Sequence, residues 1–176
     1  MSPTARTVDP LPDEATVWSW LEAVCDPEIP VVNLREMGIV RAVEVQPQGI
    51  RVVITPTYSG CPAMSQMQAD VEAALQSRGV PHEVVVSLSP AWTTDWMTDA
   101  ARHKLRDYGI APPCSSAADA NTHTLRFVRQ RTAHAVACPR CESTQTTEVS
   151  HFGSTACKAL YKCLSCLEPF DHFKPH

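Results

Sequence analysis

No run of eighteen apolar residues occurs in this 176-residue chain, so no segment of it is expected to span a membrane as a helix. The opening Met1-Ser2-Pro3-Thr4-Ala5-Arg6 has no apolar stretch of the kind an export signal needs, and a cytoplasmic protein is the expectation. Positive charge is also in short supply. The net charge is −4, and residues 121–176, the most basic part, reach only +3, with 7 basic against 4 acidic side chains. That is far from a polybasic arm. With aromatics at 6%, neither charge nor stacking surface argues for nucleic acid. Repeats and low-complexity tracts are absent. What remains is a chain sized for one domain near a hundred residues and a small appendage.

Cysteine, by contrast, is plentiful, and four of the eight stand in two pairs: Cys138-Pro139-Arg140-Cys141 and Cys163-Leu164-Ser165-Cys166. A C-x₂-C pair puts two thiolates on one tight turn, and two such turns complete a tetrahedral sulfur shell around a soft metal. In a reducing compartment paired cysteines hold metal more often than they form disulfides. A hairpin fits between the pairs, but a hydrophobic core does not. The ion would therefore be the centre of this segment, supplying on the order of 10 kcal/mol toward its folding. Zinc and an iron–sulfur cluster both suit four thiolates, and the choice stays open here. Cys157, six residues before Cys163, either packs or joins as a further ligand. His151, His172 and His176 are nearby nitrogen donors, read as surface or outer-sphere residues.

Upstream the hydrophobic pattern reads α-β-β-α-β-α. Val17, Trp20, Leu21 and Val24 recur at helical spacing behind Asp13 and Glu14, until the prolines of Asp26-Pro27-Glu28-Ile29-Pro30 break the helix. Residues 39–45 and 50–55 form a hairpin around Gln46-Pro47-Gln48-Gly49. Met64, Met67, Val71, Ala74 and Leu75 line a second helix that opens with Pro62 and stops at Gly79. Val84, Val86 and Leu88 alternate as a third strand, and residues 99–108 form a third helix closed by Gly109. The expected class is α+β: a two-layer domain with a three-stranded mixed sheet over residues 13–110, then a linker at 111–132. A four-cysteine, zinc-ribbon-like module at 133–176 completes it, with a strand within 124–137 leading into the first metal turn.

Cys61 is a different kind of cysteine. It lies between Gly60 and Pro62, where a loop hands over to the second helix. With Pro62 as the first helical residue, Cys61 would be the N-cap, its sulfur facing unpaired N–H groups that lower a thiol's pKa. The thiolate would then serve as a nucleophile or soft-metal ligand; the alternative is a small buried residue without chemistry. No local His or Lys stands ready as its base, which weakens covalent catalysis. Asp26 and Glu28 read most simply as turn-formers with solvated charges.

These residues also carry a resemblance. Asp26-Pro27-Glu28-Ile29-Pro30-Val31-Val32-Asn33-Leu34, Gly38-Ile39-Val40 and Thr55-Pro56-Thr57-Tyr58-Ser59-Gly60-Cys61-Pro62 are similar to the small domain of metal–sulfur cluster assembly proteins. The family's usual Pro-Pro-Trp stands here as Ser89-Pro90-Ala91-Trp92. With the segment from Phe152 to Cys163, the chain resembles the D-subunit family of ring-1,2-phenylacetyl-CoA epoxidase systems. The resemblance implies an accessory subunit in aerobic phenylacetate catabolism, without catalysis of its own, that assists iron–sulfur or di-iron centre assembly or delivery. It implies transient iron or cluster binding at Cys61, with Asp26 and Glu28 in the signature turn, and oxygenase and reductase subunits as partners. A homodimer also fits. The alternative is a structural subunit that docks oxygenase components through its ribbon. A thiol–disulfide enzyme would want one C-x₂-C pair on a thioredoxin-like helix rather than two pairs straddling a hairpin. The four-carboxylate, two-histidine helical set of a di-iron oxygenase is missing, so the hydroxylating subunit is another chain.

Overall fold

The computed structural model describes residues 11–113 and 136–176. The lead-in at 1–10, most of the linker and the greater part of the strand expected within 124–137 lie outside the described residues.

Helix α1 (Glu14–Leu21) starts where the Asp13 side chain accepts the Thr16 N–H at 2.8 Å, and it buries Val17 and Leu21. Strands β1 (Val40–Gln46) and β2 (Gly49–Ile54) pair antiparallel as a hairpin. Helix α2 (Met64–Gln76) turns Met67, Val71 and Leu75 inward. It returns the chain to β3 (His82–Val86), which pairs parallel with β2, giving the mixed order β1-β2-β3. Leu88, read as part of that strand, lies beyond it and is exposed. A short 3₁₀ turn (Thr94–Trp96) precedes α3 (Asp99–Tyr108). Thr98 caps α3 by accepting the Ala101 N–H at 3.1 Å, and Gly109 ends it at φ +95°.

Gly38 is one position where only glycine fits. Its φ is +68°, and a Cβ there would fall 2.6 Å from the Trp96 carbonyl oxygen.

The second sheet has the order β4-β7-β6-β5, from β4 (Ile110–Ala111), β5 (Thr146–Ser150), β6 (Lys158–Cys163) and β7 (Pro169–Phe173). Strand β4 follows α3 directly and pairs parallel with β7, so the cysteine-bearing sheet is sewn to the first lobe. Phe173 at the end of β7 is fully buried within the main core, which also holds Leu21, Met37, Ile54, Leu75 and Leu105. Trp92 packs on Phe173 with ring centres 6.0 Å apart and donates its indole N–H to the Met37 carbonyl at 3.0 Å. The Thr94 N–H donates to the His176 carbonyl at 3.2 Å. A small second core of Ala111, Val136, Cys138, Cys163 and Phe170 sits under the paired cysteines.

Candidate functional site

The four paired cysteines meet. Their sulfur atoms all lie within 4.8 Å of one another, and no other such group of three or more ligand side chains occurs among the described residues. Cys138 Sγ is 3.8 Å from Cys166 Sγ, and Cys141 Sγ is 3.6 Å from Cys163 Sγ. Zinc–thiolate bonds of about 2.3 Å at tetrahedral angles place sulfurs about 3.8 Å apart, so the quartet has the right size for one tetrahedral ion.

Backbone geometry builds this shape. Each C-x₂-C turn closes on a residue in the left-handed region, Glu142 at φ +60° and Leu167 at φ +67°. The N–H groups of Cys166 and Ser165 point at Cys163 Sγ, both at 3.4 Å, and hold that thiol down at about 6. The two turns are tied together by Ser143 Oγ and Ser165 Oγ at 2.7 Å, and by the Leu164 N–H donating to the Gln145 carbonyl at 2.8 Å. Cys138 and Cys163 are buried, while Cys141 and Cys166 face outward. Four thiolates leave an ion no open position, so the arrangement stabilises structure rather than activating a bound molecule.

Cys157 is not in the quartet. Six residues of extended chain, about 20 Å, separate it from Cys163 along β6. It sits half-buried against the main core, its sulfur 3.0 Å from Thr155 Oγ1. The nearby histidines also stay out of the sulfur shell. His172 is buried with Nδ1 3.2 Å from the Ala111 carbonyl, and His176 lies edge-on to Trp92.

At Cys61 the structure corrects the expected helix start. The first residue of α2 is Met64 and its N-cap is Ala63, so Cys61 and Pro62 form a separate turn ahead of the helix. That turn is held by the Cys61 N–H donating to the Tyr58 carbonyl at 3.0 Å and the Met64 N–H donating to the Cys61 carbonyl at 3.3 Å. The thiol is not acidified. Burial pushes it up, against the Ala63 N–H, and the negative charges of Glu28, Cys157 and Asp26 add to the rise.

Asp26 is a turn-former, as expected, but it is not solvated. It is only 8% exposed, and its Oδ1 accepts the N–H groups of Glu28 at 2.8 Å and Ile29 at 3.1 Å. Burial raises its carboxyl in spite of those donors. Glu28, half-buried, is raised by burial and by Asp26. The positive charge of Lys158, 5% exposed and paired to Asp171 at 3.2 Å, acts on both carboxyls and on Cys157. Sequence reasoning missed Lys158 and Asp171. An alternating strand gives no sign that one of its lysines turns inward.

The fold and these two groups define a two-module class, an assembly-type α/β domain carrying a C-terminal four-cysteine β ribbon. Comparison with known proteins finds the same pair: residues 14–88 match the family model described as iron-sulfur cluster assembly protein, and residues 122–174 match the PaaD zinc beta ribbon domain. The putative 1,2-phenylacetyl-CoA epoxidase D-subunit of Escherichia coli is 48% identical over 93% of both chains. The chain belongs to this epoxidase D-subunit family. An Fe-S protein maturation auxiliary factor of Porphyromonas gingivalis is 33% identical over 54% of this chain and 92% of its own. The solved domain of unknown function DUF59 from Bacillus anthracis aligns with 52% of this chain and 90% of its own, at 30% identity and a TM-score of 0.49. No helix among the described residues is long and apolar enough to cross a membrane.

Proposed function

We propose that this chain is a cytoplasmic accessory subunit of the multicomponent phenylacetyl-CoA epoxidase of aerobic phenylacetate catabolism, and that it assists assembly or delivery of an iron–sulfur or di-iron centre. Zinc is the resident ion of the quartet. Its ligands would be Cys138, Cys141, Cys163 and Cys166, and its contribution is to fold the ribbon. Iron, or a small cluster, is the cargo. Cys61 carries it, with Asp26 and Glu28 alongside, and the oxygenase or reductase subunits receive it. Likeness to the E. coli protein supports the pathway, and likeness to the maturation factor supports the chemistry.

The observation that carries this reading is the separation of two kinds of sulfur. One set is closed and preshaped, and the half-buried Cys61 thiol lies outside it, within electrostatic reach of Asp26 and Glu28. A closed shell retains its ion, whereas a single thiol with hard oxygen neighbours holds iron weakly enough to release it. Replacing Cys61→Ser in an otherwise intact strain should abolish most epoxidase activity and lower the iron content of the purified oxygenase or reductase, with the variant chain still accumulating. Full activity and unchanged iron in that strain would leave only a docking role.

A further inference from the structure

The sulfur quartet is not uniform. The first cysteine of each pair, Cys138 and Cys163, is buried, and the second, Cys141 and Cys166, is exposed. Each exposed cysteine meets a buried one across the shell: Cys141 Sγ is 3.6 Å from Cys163 Sγ, and Cys166 Sγ is 3.8 Å from Cys138 Sγ. Both contacts join the first turn to the second. A disulfide needs its sulfurs about 2.05 Å apart, so each sulfur of either contact would move inward by less than about 1 Å.

Few apolar groups support this end of the ribbon. Besides Cys138 and Cys163, the core under the quartet has Ala111, Val136 and Phe170, with Tyr161 packed against it. The turns are also linked by exposed polar contacts, Ser143 Oγ to Ser165 Oγ and the Leu164 N–H to the Gln145 carbonyl. The sulfur shell is therefore a principal fastening between them, and its two outer cysteines are where a small solute reaches it. An exposed thiolate with a second sulfur alongside is oxidised through a sulfenic acid to a disulfide.

We propose that the quartet is a peroxide-responsive switch: hydrogen peroxide converts it from a metal-holding shell into two disulfides that cross between the turns, Cys141–Cys163 and Cys138–Cys166. In each pair the exposed thiolate attacks one peroxide oxygen and breaks the O–O bond; its sulfur becomes a sulfenic acid and hydroxide departs. The buried partner then attacks that sulfur, forming the S–S bond and expelling a second hydroxide. One peroxide is reduced and two thiolates are oxidised, two electrons in all, and the hydroxides take protons from solvent to become water. Two peroxides thus empty the shell, with no change in the charge of the released ion. Bonds that cross between the turns replace the sulfur–metal links that joined them, so the oxidised ribbon keeps its shape. Disulfides within each C-x₂-C turn would instead leave the turns free of each other. A dithiol reverses the change by supplying two electrons per disulfide, and the four thiolates are then ready for zinc again. The cargo reading of Cys61 plays no part in this switch.

The test treats the zinc-loaded full chain with hydrogen peroxide in the absence of other thiols. Zinc release, followed with a chelating dye, should reach one ion per chain for two peroxides consumed, and four of the eight thiols should be lost. Linked peptides should join Cys138 to Cys166 and Cys141 to Cys163; cleavage after Arg140 parts Cys138 from Cys141, so mass spectrometry tells the pairings apart. Strands β5 and β6 should keep their hydrogen-exchange protection in the oxidised chain, and a dithiol with added zinc should restore ion and thiols together. The unaltered chain is used throughout, so misfolding of a substituted quartet does not arise. Bonds formed within a pair, or sulfinic acids in place of disulfides, would overturn the inference. Oxidation of Cys25, Cys61 or Cys157 while the quartet keeps its ion would overturn it as well.

Discussion

Glu142 and Leu167 each follow the second cysteine of a metal turn, and both sit in the left-handed region that L side chains avoid. Holding a non-glycine residue there costs about 1–2 kcal/mol. Glu142→Gly and Leu167→Gly should each raise the stability of the metal-loaded chain, by about 1 kcal/mol after the glycine's greater freedom when unfolded is set against the relief. A thermal melt of each variant checks this. Cys61 gives a second expectation at this scale. Its thiol is raised by burial, so the iodoacetamide labelling rate of the iron-free chain at Cys61 should still be climbing above about pH 9, where a free cysteine is levelling off. A plateau below about pH 8 would contradict the burial argument. His172 supplies a third. Burial lowers its pKa, so the stability it contributes is fully present above the unfolded value near 6.5 and is lost as pH falls through the folded value. His172→Phe should therefore lose less stability than the parent chain between roughly pH 7 and pH 5, read as the change in Tm across that window.

Elements were legible in the sequence where local signals agreed. Helix α3 could be read from end to end because Thr98, Asp99 and Gly109 mark its cap, first turn and stop in agreement with its pattern. Helix α2 could be placed but not started, because Pro62 suits a free turn as well as a first helical position. Strand β7 left no readable trace. Pro169-Phe170-Asp171-His172-Phe173 has prolines at 169 and 175 around it but no clear alternation, and its partners β4 and β6 lie at very different distances along the chain. Yet β7 helps to join the two lobes, because its Phe173 is buried in the main core. Phe173→Ala should destabilise the chain by about 3–5 kcal/mol, measurable by denaturant titration, and should loosen both lobes rather than the ribbon alone. The sulfur quartet was fully legible, because its four members come as two local pairs. The neighbourhood of Cys61 was not, since Cys157 stands 96 positions later in the sequence.

At the scale of the molecule, one ion and one apolar core divide the task of folding. A strong chelator should strip the quartet and remove hydrogen-exchange protection from β5 and β6, while α1, α2 and the β1–β2 hairpin keep theirs, since they close on the main core. Equal loss of protection in both lobes would show that the ion supports the whole chain. The turn at Asp26 has a consequence of its own for selectivity. One of its two carboxylate oxygens is already engaged by the amides of residues 28 and 29, so if the turn meets an ion as proposed, Asp26 would have a single oxygen to offer. Calcium, which gathers about six to eight oxygens and favours chelating carboxylates, would find a starved coordination sphere there. The two hydrogen bonds that shape the loop thus also work against a calcium-type cage at this turn.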